Sequence, residues 1–203
     1  MENNIITTKN LSFSYKNQKV LEKINLNIEK NKITSIYGPS GSGKTTLLFL
    51  ISGLLKGYIG KIFLNQNFNK SFLFQKNNLL KDLNVIDNIK ISQLIRNYDD
   101  DIKIEKIMKD LNVDYLKKRF SNELSTGEEQ RVAFIKNIIS NDLIFFDEPT
   151  SSLDSKNAEQ MIDIIKKYSE NKTFIIATHD ERIKVISNKI FYLKDGKIKS
   201  IKR

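Results

Sequence analysis

The stretch GPSGSGKT occupies residues 38–45 and directly follows a short apolar segment, ITSIY, at residues 33–37. It matches the pattern G-x-x-x-x-G-K-[ST], in which closely spaced glycines let the backbone curl so that successive N–H groups point at one anion. An apolar run, LLFLISGLL, follows at residues 47–55 and predicts a helix whose positive end faces that anion. A strand, a glycine turn and a helix in this order predict an α/β unit that binds a nucleotide phosphate.

Three side chains at the end of this phosphate loop (residues 38–45) carry polar groups suited to a nucleotide. Lys44 supplies a point charge for the β and γ oxygens, and the Thr45 hydroxyl is a ligand for magnesium. Thr46 is a candidate for a further hydrogen bond to a phosphate oxygen. The loop therefore predicts a bound nucleotide together with Mg²⁺.

A second acidic element follows the strongly apolar stretch LIFF, which is part of the sequence LIFFDEPT at residues 143–150. Asp147 is predicted to hold the magnesium ion from the end of a strand that neighbours the strand before the phosphate loop. Glu148 comes next and is the candidate that polarises the attacking water. A DE pair alone could simply end a strand and cap a helix, but a DE pair after an apolar strand in a chain with a phosphate loop favours catalysis.

The composition excludes several kinds of site. The chain has 203 residues, no cysteine and one histidine, His179. Disulfides, thiolate nucleophiles and multi-histidine metal sites are therefore excluded. The start, MENNIITTKN, lacks the pattern of a secretory signal, and the longest apolar run is too short to span a bilayer. We expect a soluble chain that reaches the membrane only through a partner.

The formal net charge of +10 has two interpretations. The lysines are scattered along the chain rather than clustered, which favours a solvated basic surface over a nucleic-acid patch, and no specific nucleic acid is expected. A surface that faces anionic lipid would gain from the same charge.

Alternation of apolar and polar side chains dominates residues 4–36 and predicts strands with one buried face. Ile24, Leu26 and Ile28 are expected to share that face on one strand. These strands predict an antiparallel β layer that precedes the phosphate loop along the chain.

The rest of the chain follows an α/β order. Residues 59–75 predict short strands, and residues 84–120 predict a mainly helical segment. From residue 127 onward, helices alternate with continuous apolar strands, which are typical of parallel strands buried on both faces, before a terminal hairpin. The predicted fold class is α/β, with a mostly parallel central sheet in one domain, residues 1–203, and an inserted α-helical subdomain at about residues 78–126.

Together these residues resemble the ATP-binding cassette (ABC) family, the nucleotide-binding subunits of ABC transporters, over nearly the whole chain. The resemblance implies a P-loop NTPase fold. Its motifs stand in the family order: an aromatic residue for the base at Tyr15, the Walker A loop at residues 38–45, the Q-loop glutamine at Gln75, the signature at residues 124–128, Walker B at residues 143–148, the D-loop at residues 151–154 and the switch histidine at His179.

The resemblance also implies a role for each site residue. Glu148, His179 and Lys44 are expected to be catalytic, and Thr45, Gln75 and Asp147 to hold the metal. The residues expected to bind the nucleotide are Tyr15, Gly38, Pro39, Ser40, Gly41, Ser42, Gly43, Lys44, Thr45, Thr46, Gln75, Ser125 and Gly127.

In this family two cassettes pair head to tail, so the resemblance implies that Ser125 and Gly127 contact the γ-phosphate on a second copy. One position departs from the usual LSGG pattern, because Thr126 stands where the first glycine is common. If that position requires a positive φ, a β-branched residue would be strained there. A cassette that binds ATP without efficient hydrolysis therefore stays open as an alternative.

The resemblance implies an ATPase subunit of a membrane transporter, expected to be an exporter of a peptide, lipid-linked or hydrophobic substrate. Its partners would be a second cassette and a transmembrane permease, docked around residues 79–91, and its place the cytoplasmic face of the membrane. A soluble ABC-type ATPase that acts on nucleic acid or ribosomes is the alternative, but such proteins typically carry coiled coils or fused cassettes. A GTPase is not supported, since no N-K-x-D-like motif is found.

Overall fold

A computed structural model of the chain describes residues 3–64, 68–74, 79–96 and 100–202. The three strands of the first sheet are β1 (Asn4–Tyr15), β2 (Gln18–Glu29) and β4 (Ile59–Leu64), which are antiparallel in the order β2-β1-β4. Ile24, Leu26 and Ile28 are buried while Asn25 between them is exposed, so the expected single apolar face of β2 is confirmed.

The second sheet has six strands in the order β5-β6-β7-β3-β8-β9, of which the first five are parallel and β9 is antiparallel to β8. Every residue of β6 and β7 is buried, as the continuous apolar runs predicted. The bounds of the strands are β3 (Ile33–Tyr37), β5 (Lys70–Leu73), β6 (Leu143–Asp147), β7 (Thr173–Thr178), β8 (Lys189–Lys194) and β9 (Lys197–Lys202).

The strand order corrects one expectation. The strand that carries Asp147 does not neighbour the strand before the phosphate loop, because β7 lies between them. The register nevertheless aligns the carboxyl ends of all three strands, since Tyr37 pairs with Thr178 and Asp147 pairs with Ala177. The loops that follow β3, β6 and β7 therefore meet at one edge of the sheet, where ligands bind in open α/β sheets.

Within the described residues six α-helices connect the strands, and several begin at side-chain caps. Asp100 accepts a hydrogen bond from the Lys103 N–H and caps α3 (Asp101–Asp110), and Asp154 caps α5 (Ser155–Tyr168) in the same way. In the described ranges no helix is long and apolar enough to cross a membrane. The helices are α1 (Lys44–Ser52), α2 (Val85–Arg96), α3 (Asp101–Asp110), α4 (Thr126–Ile138), α5 (Ser155–Tyr168) and α6 (Glu181–Ile186), with two short 3-10 helices at Asp114–Leu116 and Ser121–Glu123.

Alternate residues of the central strands enter two hydrophobic clusters. On β6, Ile144 and Phe146 pack with helices α2 to α5, whereas Phe145 packs on the opposite face with α1 and the antiparallel sheet. The helices between β5 and β6 thus share one apolar cluster with the central sheet. Their division into a separate subdomain at about residues 78–126 stays a prediction.

Candidate functional site

The phosphate loop joins the end of β3 to the start of α1 and depends on its glycines. Gly41 and Gly43 have φ angles of 75° and 100°, which side-chain-bearing residues rarely adopt. Gly38 instead allows a close approach, because a Cβ there would lie 2.1 Å from the Leu193 carbonyl oxygen. The sequence therefore folds into a backbone concavity at this point.

Polar groups of the concavity are left for a ligand. No side chain in the described part of the protein caps the N-terminus of α1, so its first N–H groups keep their hydrogen-bonding capacity. The Ser42 hydroxyl is buried and has no hydrogen-bond partner among the described residues. Unpaired donors at a helix N-terminus favour an anion, and this loop fits a phosphate group.

Lys44, the first residue of α1, folds back across the loop. Its side chain is buried, and its ammonium donates to the carbonyl oxygens of Gly38 at 2.9 Å and Pro39 at 3.1 Å. The same nitrogen lies 3.5 Å from a carboxylate oxygen of Glu148. The cation is thus fixed between the loop and the end of β6.

Thr45 and Asp147 meet in the way the sequence predicted. The Thr45 hydroxyl lies 3.0 and 2.9 Å from the two carboxylate oxygens of Asp147. Burial raises the pKa of the Asp147 carboxyl above its ordinary value, although the hydrogen bond from Thr45 opposes this shift. A hydroxyl and a buried carboxylate form an oxygen-rich pair that suits a hard divalent cation such as Mg²⁺, whose charge would offset the desolvation.

Glu148 is held in an unusual backbone conformation with a φ angle of 52°. Its carboxylate lies 3.0 Å from Nδ1 of His179, and its backbone N–H donates to the Ala177 carbonyl oxygen. Adjacent strands explain this meeting, since Glu148 follows β6 and His179 follows β7. The His179 side chain is two-thirds exposed whereas that of Glu148 is mostly buried, so the pair forms one wall of an open cleft.

This cleft has a volume of about 450 Å³ and contains most of the predicted site residues. Tyr15 lies at its edge, is half exposed, and packs edge-on against Phe13 with ring centroids 4.8 Å apart. Gln18 and Val20 were not predicted as site residues, and Ser151 was expected only as part of the D-loop at residues 151–154. The cleft is lined by Tyr15, Gln18, Val20, Ser40, Gly41, Gly43, Lys44, Thr45, Thr46, Glu148, Ser151 and His179.

The signature segment lies outside this lining. Ser125 caps α4 and shares a reciprocal capping box with Glu128, whose carboxylate also accepts a hydrogen bond from the Tyr115 hydroxyl at 2.8 Å. Burial raises the pKa of Glu128, but the hydrogen bonds from Ser125 and Tyr115 outweigh it and lower the pKa overall. Ser125 and Gly127 are therefore not brought to the phosphate loop of their own chain.

The structure removes the strain that Thr126 could have caused. Thr126 is the first residue of α4, and it is not among the non-glycine residues with positive φ. The condition for strain from a β-branched residue is therefore not met, because an N-terminal helical residue takes ordinary φ values. Gln75, expected to bind nucleotide and metal, lies outside the described residues.

Part of the expected docking surface is also corrected. Val85 and Ile89 of α2 are fully buried in the apolar cluster with α3 and α4, so they are not available to a partner. Leu80 remains half exposed, and the most exposed apolar residues of α2 are Leu94 and Ile95 near its end. The first half of α2 faces the interior because Val85 and Ile89, which are four residues apart and so on one face of the helix, pack in the apolar cluster.

Comparisons with known proteins agree with this site. The family model described as ABC transporter matches residues 21–151. The chain is 41% identical over 193 residues to the ergothioneine transport ATP-binding protein EgtV of Helicobacter pylori strain G27, covering 87% of this chain and 91% of that protein. It is 34% identical, over an alignment of 227 residues, to the lipoprotein-releasing system ATP-binding protein LolD of Francisella tularensis strain FSC 198, covering 99% and 98%.

Among solved structures, the dimeric structure of MJ0796, a bacterial ABC transporter cassette, superimposes with a TM-score of 0.87 at 30% identity and covers 98% of each chain. On fold, site and family model together, the chain belongs to the ABC transporter family, as an ATP-binding subunit whose hydrolysis of ATP is coupled to transport.

Proposed function

We propose that the chain hydrolyses ATP with Mg²⁺ in a head-to-tail homodimer and thereby drives a transmembrane permease. The observation that carries this proposal is the separation of two sets of site residues in one chain. Lys44, Thr45 and Glu148 line the cleft, and the Thr45 hydroxyl donates to Asp147 directly behind it. Ser125 and Gly127 lie outside this lining. A second copy that supplies its signature segment would complete the site.

Within one cleft the roles follow from position and charge. The loop N–H groups and Lys44 would bind the phosphates, and Tyr15 would stack on the adenine base. Thr45 and Asp147 would hold Mg²⁺, which supplies charge neutralisation of the phosphate oxygens. Gln75 is proposed as a further contact to the metal and γ-phosphate.

Glu148 is the proposed general base or water-positioning residue. Its carboxylate is largely shielded from solvent and lies between the cation of Lys44 and the ring of His179. His179 would fix the orientation of this carboxylate through the contact at Nδ1. Catalysis would then consist of positioning an attacking water and stabilising charge, as in other phosphoryl transfers.

Gly127 supplies independent support for a contact from outside the chain. It is a helical glycine without a positive φ, and a Cβ there would lie 3.6 Å from Leu153, 3.7 Å from a Ser152 oxygen and 4.0 Å from the Arg131 guanidinium. None of these distances requires glycine, and glycine in a helix is less favourable than alanine by about 1 kcal/mol. A close approach by a ligand on a second copy accounts for its presence.

We predict that Gly127→Ala stabilises the fold but weakens dimerisation. The substitution should raise the free energy of unfolding by about 0.5–1 kcal/mol, because alanine favours the helix. It should weaken ATP-dependent dimerisation of a Glu148→Gln chain, since the new methyl group stands where the partner's nucleotide approaches. Thermal unfolding and sedimentation with ATP measure the two effects; equally strong dimerisation in the variant would contradict the shared site.

We predict that Thr126→Gly does not activate the enzyme. Thr126 has ordinary backbone geometry, so glycine relieves no strain there. The rate of phosphate release should stay within about twofold of the wild type, because substitutions away from strained or buried groups change free energies by about 0.5 kcal/mol or less. A large increase in rate would instead favour the alternative of a cassette that binds ATP without efficient hydrolysis.

The cargo is proposed to be a peptide, lipid-linked or hydrophobic molecule moved out of the cell. Similarity to LolD, named for lipoprotein release, supports this class. A small polar molecule is the second candidate, because EgtV, named for ergothioneine transport, is more similar in sequence. The permease that co-purifies with the chain can be reconstituted in vesicles, where a lipoprotein or ergothioneine that stimulates ATP hydrolysis identifies the class.

Docking on the cytoplasmic face of the membrane is proposed through that permease. The support is the likeness to transporter subunits together with exposed apolar residues on the helical segment, Leu80, Leu94 and Ile95. Co-purification with a membrane protein is the expected result. Co-purification with ribosomes or nucleic acid instead would favour the soluble ABC-type ATPase.

A further inference from the structure

Gln130, on the first half of α4, is a buried polar residue with only 2% of its surface exposed. Its amide nitrogen donates to the carbonyl oxygens of Pro149 and, at 3.4 Å, Glu148. Its amide oxygen accepts a hydrogen bond from the Ser152 hydroxyl. One side chain thus bonds three residues of the segment that carries Glu148.

This segment, residues 148–153, has mainly local hydrogen bonds of its own. The Ser151 N–H and hydroxyl both bond to the Glu148 carbonyl oxygen, at 3.2 and 3.0 Å, and the Leu153 N–H bonds to Thr150. Its other long-range contacts run from the Glu148 N–H to strand β7, from the Thr150 hydroxyl to Asp180, and from the Glu148 carboxylate to His179 and Lys44. Gln130 is therefore its side-chain anchor to α4 among the described residues.

The same helix begins with the signature residues. Gly127 lies three residues before Gln130 and hence on the same face of α4. A Cβ at Gly127 would contact Leu153 and Ser152, so both positions face the segment that carries Glu148. The signature end of α4 and Gln130 therefore contact the same segment, residues 148–153.

We propose that Gln130 is a positioning residue that couples the signature end of α4 to the Glu148 carboxylate of the same chain. The inference rests on the proposed function, because it requires a partner's nucleotide to press on Ser125 and Gly127. Closure over the nucleotide of the partner then aligns Glu148 for hydrolysis at the chain's own nucleotide. The two sites of the dimer are thereby linked through one glutamine in each chain.

The hydrogen bonds of the Gln130 amide favour a polar role for this residue over simple filling of the core. The amide nitrogen and the amide oxygen of Gln130 both form hydrogen bonds. The nitrogen donates to the carbonyl groups of Glu148, whose φ is positive, and of Pro149, and the oxygen accepts from Ser152. Gln93 of α2 offers a matched comparison, since it is 3% exposed but its amide nitrogen has no hydrogen-bond partner among the described residues. Replacing Gln93 removes a buried amide of the same size without touching Glu148.

The test compares Gln130→Met with Gln93→Met, because methionine preserves volume and removes hydrogen bonding. Gln130→Met should lower kcat for ATP about 10- to 100-fold with little change in KM, since a misplaced catalytic group slows chemistry without weakening substrate binding. Gln93→Met should behave like the wild type. Thermal unfolding establishes that both variants are folded.

A second measurement does not depend on turnover. In a Glu148→Gln chain, ATP should still form dimers when Gln130→Met is added, while amide hydrogen exchange of residues 148–153 should no longer slow on dimerisation. An unchanged kcat in folded Gln130→Met, or exchange that slows as in the parent, would overturn the inference. Failure of the Glu148→Gln parent itself to dimerise would instead refute the proposed function.

Discussion

Replacing Glu148 with glutamine is expected to lower the rate of ATP hydrolysis about 10²- to 10⁴-fold, the range typical for removal of a positioned acid–base group. Glutamine has nearly the same size and can still meet His179, but it carries no negative charge and cannot accept a proton from water. The strain energy of the positive φ at this position is the same for glutamine as for glutamate. The variant should therefore fold and bind ATP normally.

Phosphate release measured in steady state tests this expectation, with nucleotide affinity measured on the same preparation. Glu159→Gln is the matched control, because Glu159 is an exposed residue of α5 that does not line the cleft. The control should keep the wild-type rate. Normal turnover in Glu148→Gln would remove the role proposed for this carboxylate.

Replacing Lys44 with methionine is expected to weaken ATP binding about 10- to 100-fold, because hydrogen bonds to charged groups contribute about 1.5–3 kcal/mol. Methionine retains the apolar part of the side chain and removes only the cation. The ammonium binds two loop carbonyls and lies 3.5 Å from Glu148, so its loss also leaves that carboxylate without its cation. Hydrolysis should fall together with affinity.

Titration with ATP, followed by heat release or by a fluorescent analogue, measures this affinity. Lys166→Met on the exposed side of α5 removes one positive charge elsewhere and serves as the control. If both variants lost the same affinity, the effect would come from net charge. If Lys44→Met bound ATP as tightly as the wild type, the phosphate loop would not be the nucleotide site.

The sequence predicts the parts of the fold that depend on local pattern. The glycines of residues 38–45 predict the turn because only they permit its backbone, and the apolar run before Asp147 predicts a buried parallel strand. The order of the strands in the sheet cannot be predicted from local sequence pattern. The insertion of β7 between β3 and β6 depends on how the crossovers pack, so the expected adjacency was wrong while the convergence of Thr45 and Asp147 was right.

Two features of the site could not be predicted from sequence pattern. The positive φ of Glu148 is unusual for a residue with a side chain, so no propensity predicts it. Gln130 looks like an ordinary polar residue of an amphipathic helix, and only the packing of α4 against residues 148–153 reveals its bonds. Conversely, the sequence left open whether Thr126 is strained, and the start of α4 shows that its φ is not positive.

The mass of the Glu148→Gln chain in ATP and Mg²⁺, measured by sedimentation, tests the shared site most directly. If the site is shared between two copies, the particle in ATP has twice the mass of one chain, which is 23.6 kDa, and the particle in ADP has the mass of a single chain. Two nucleotides should be retained in each dimer. A particle that binds ATP but stays at the mass of one chain, in the presence and absence of the permease, would contradict the account.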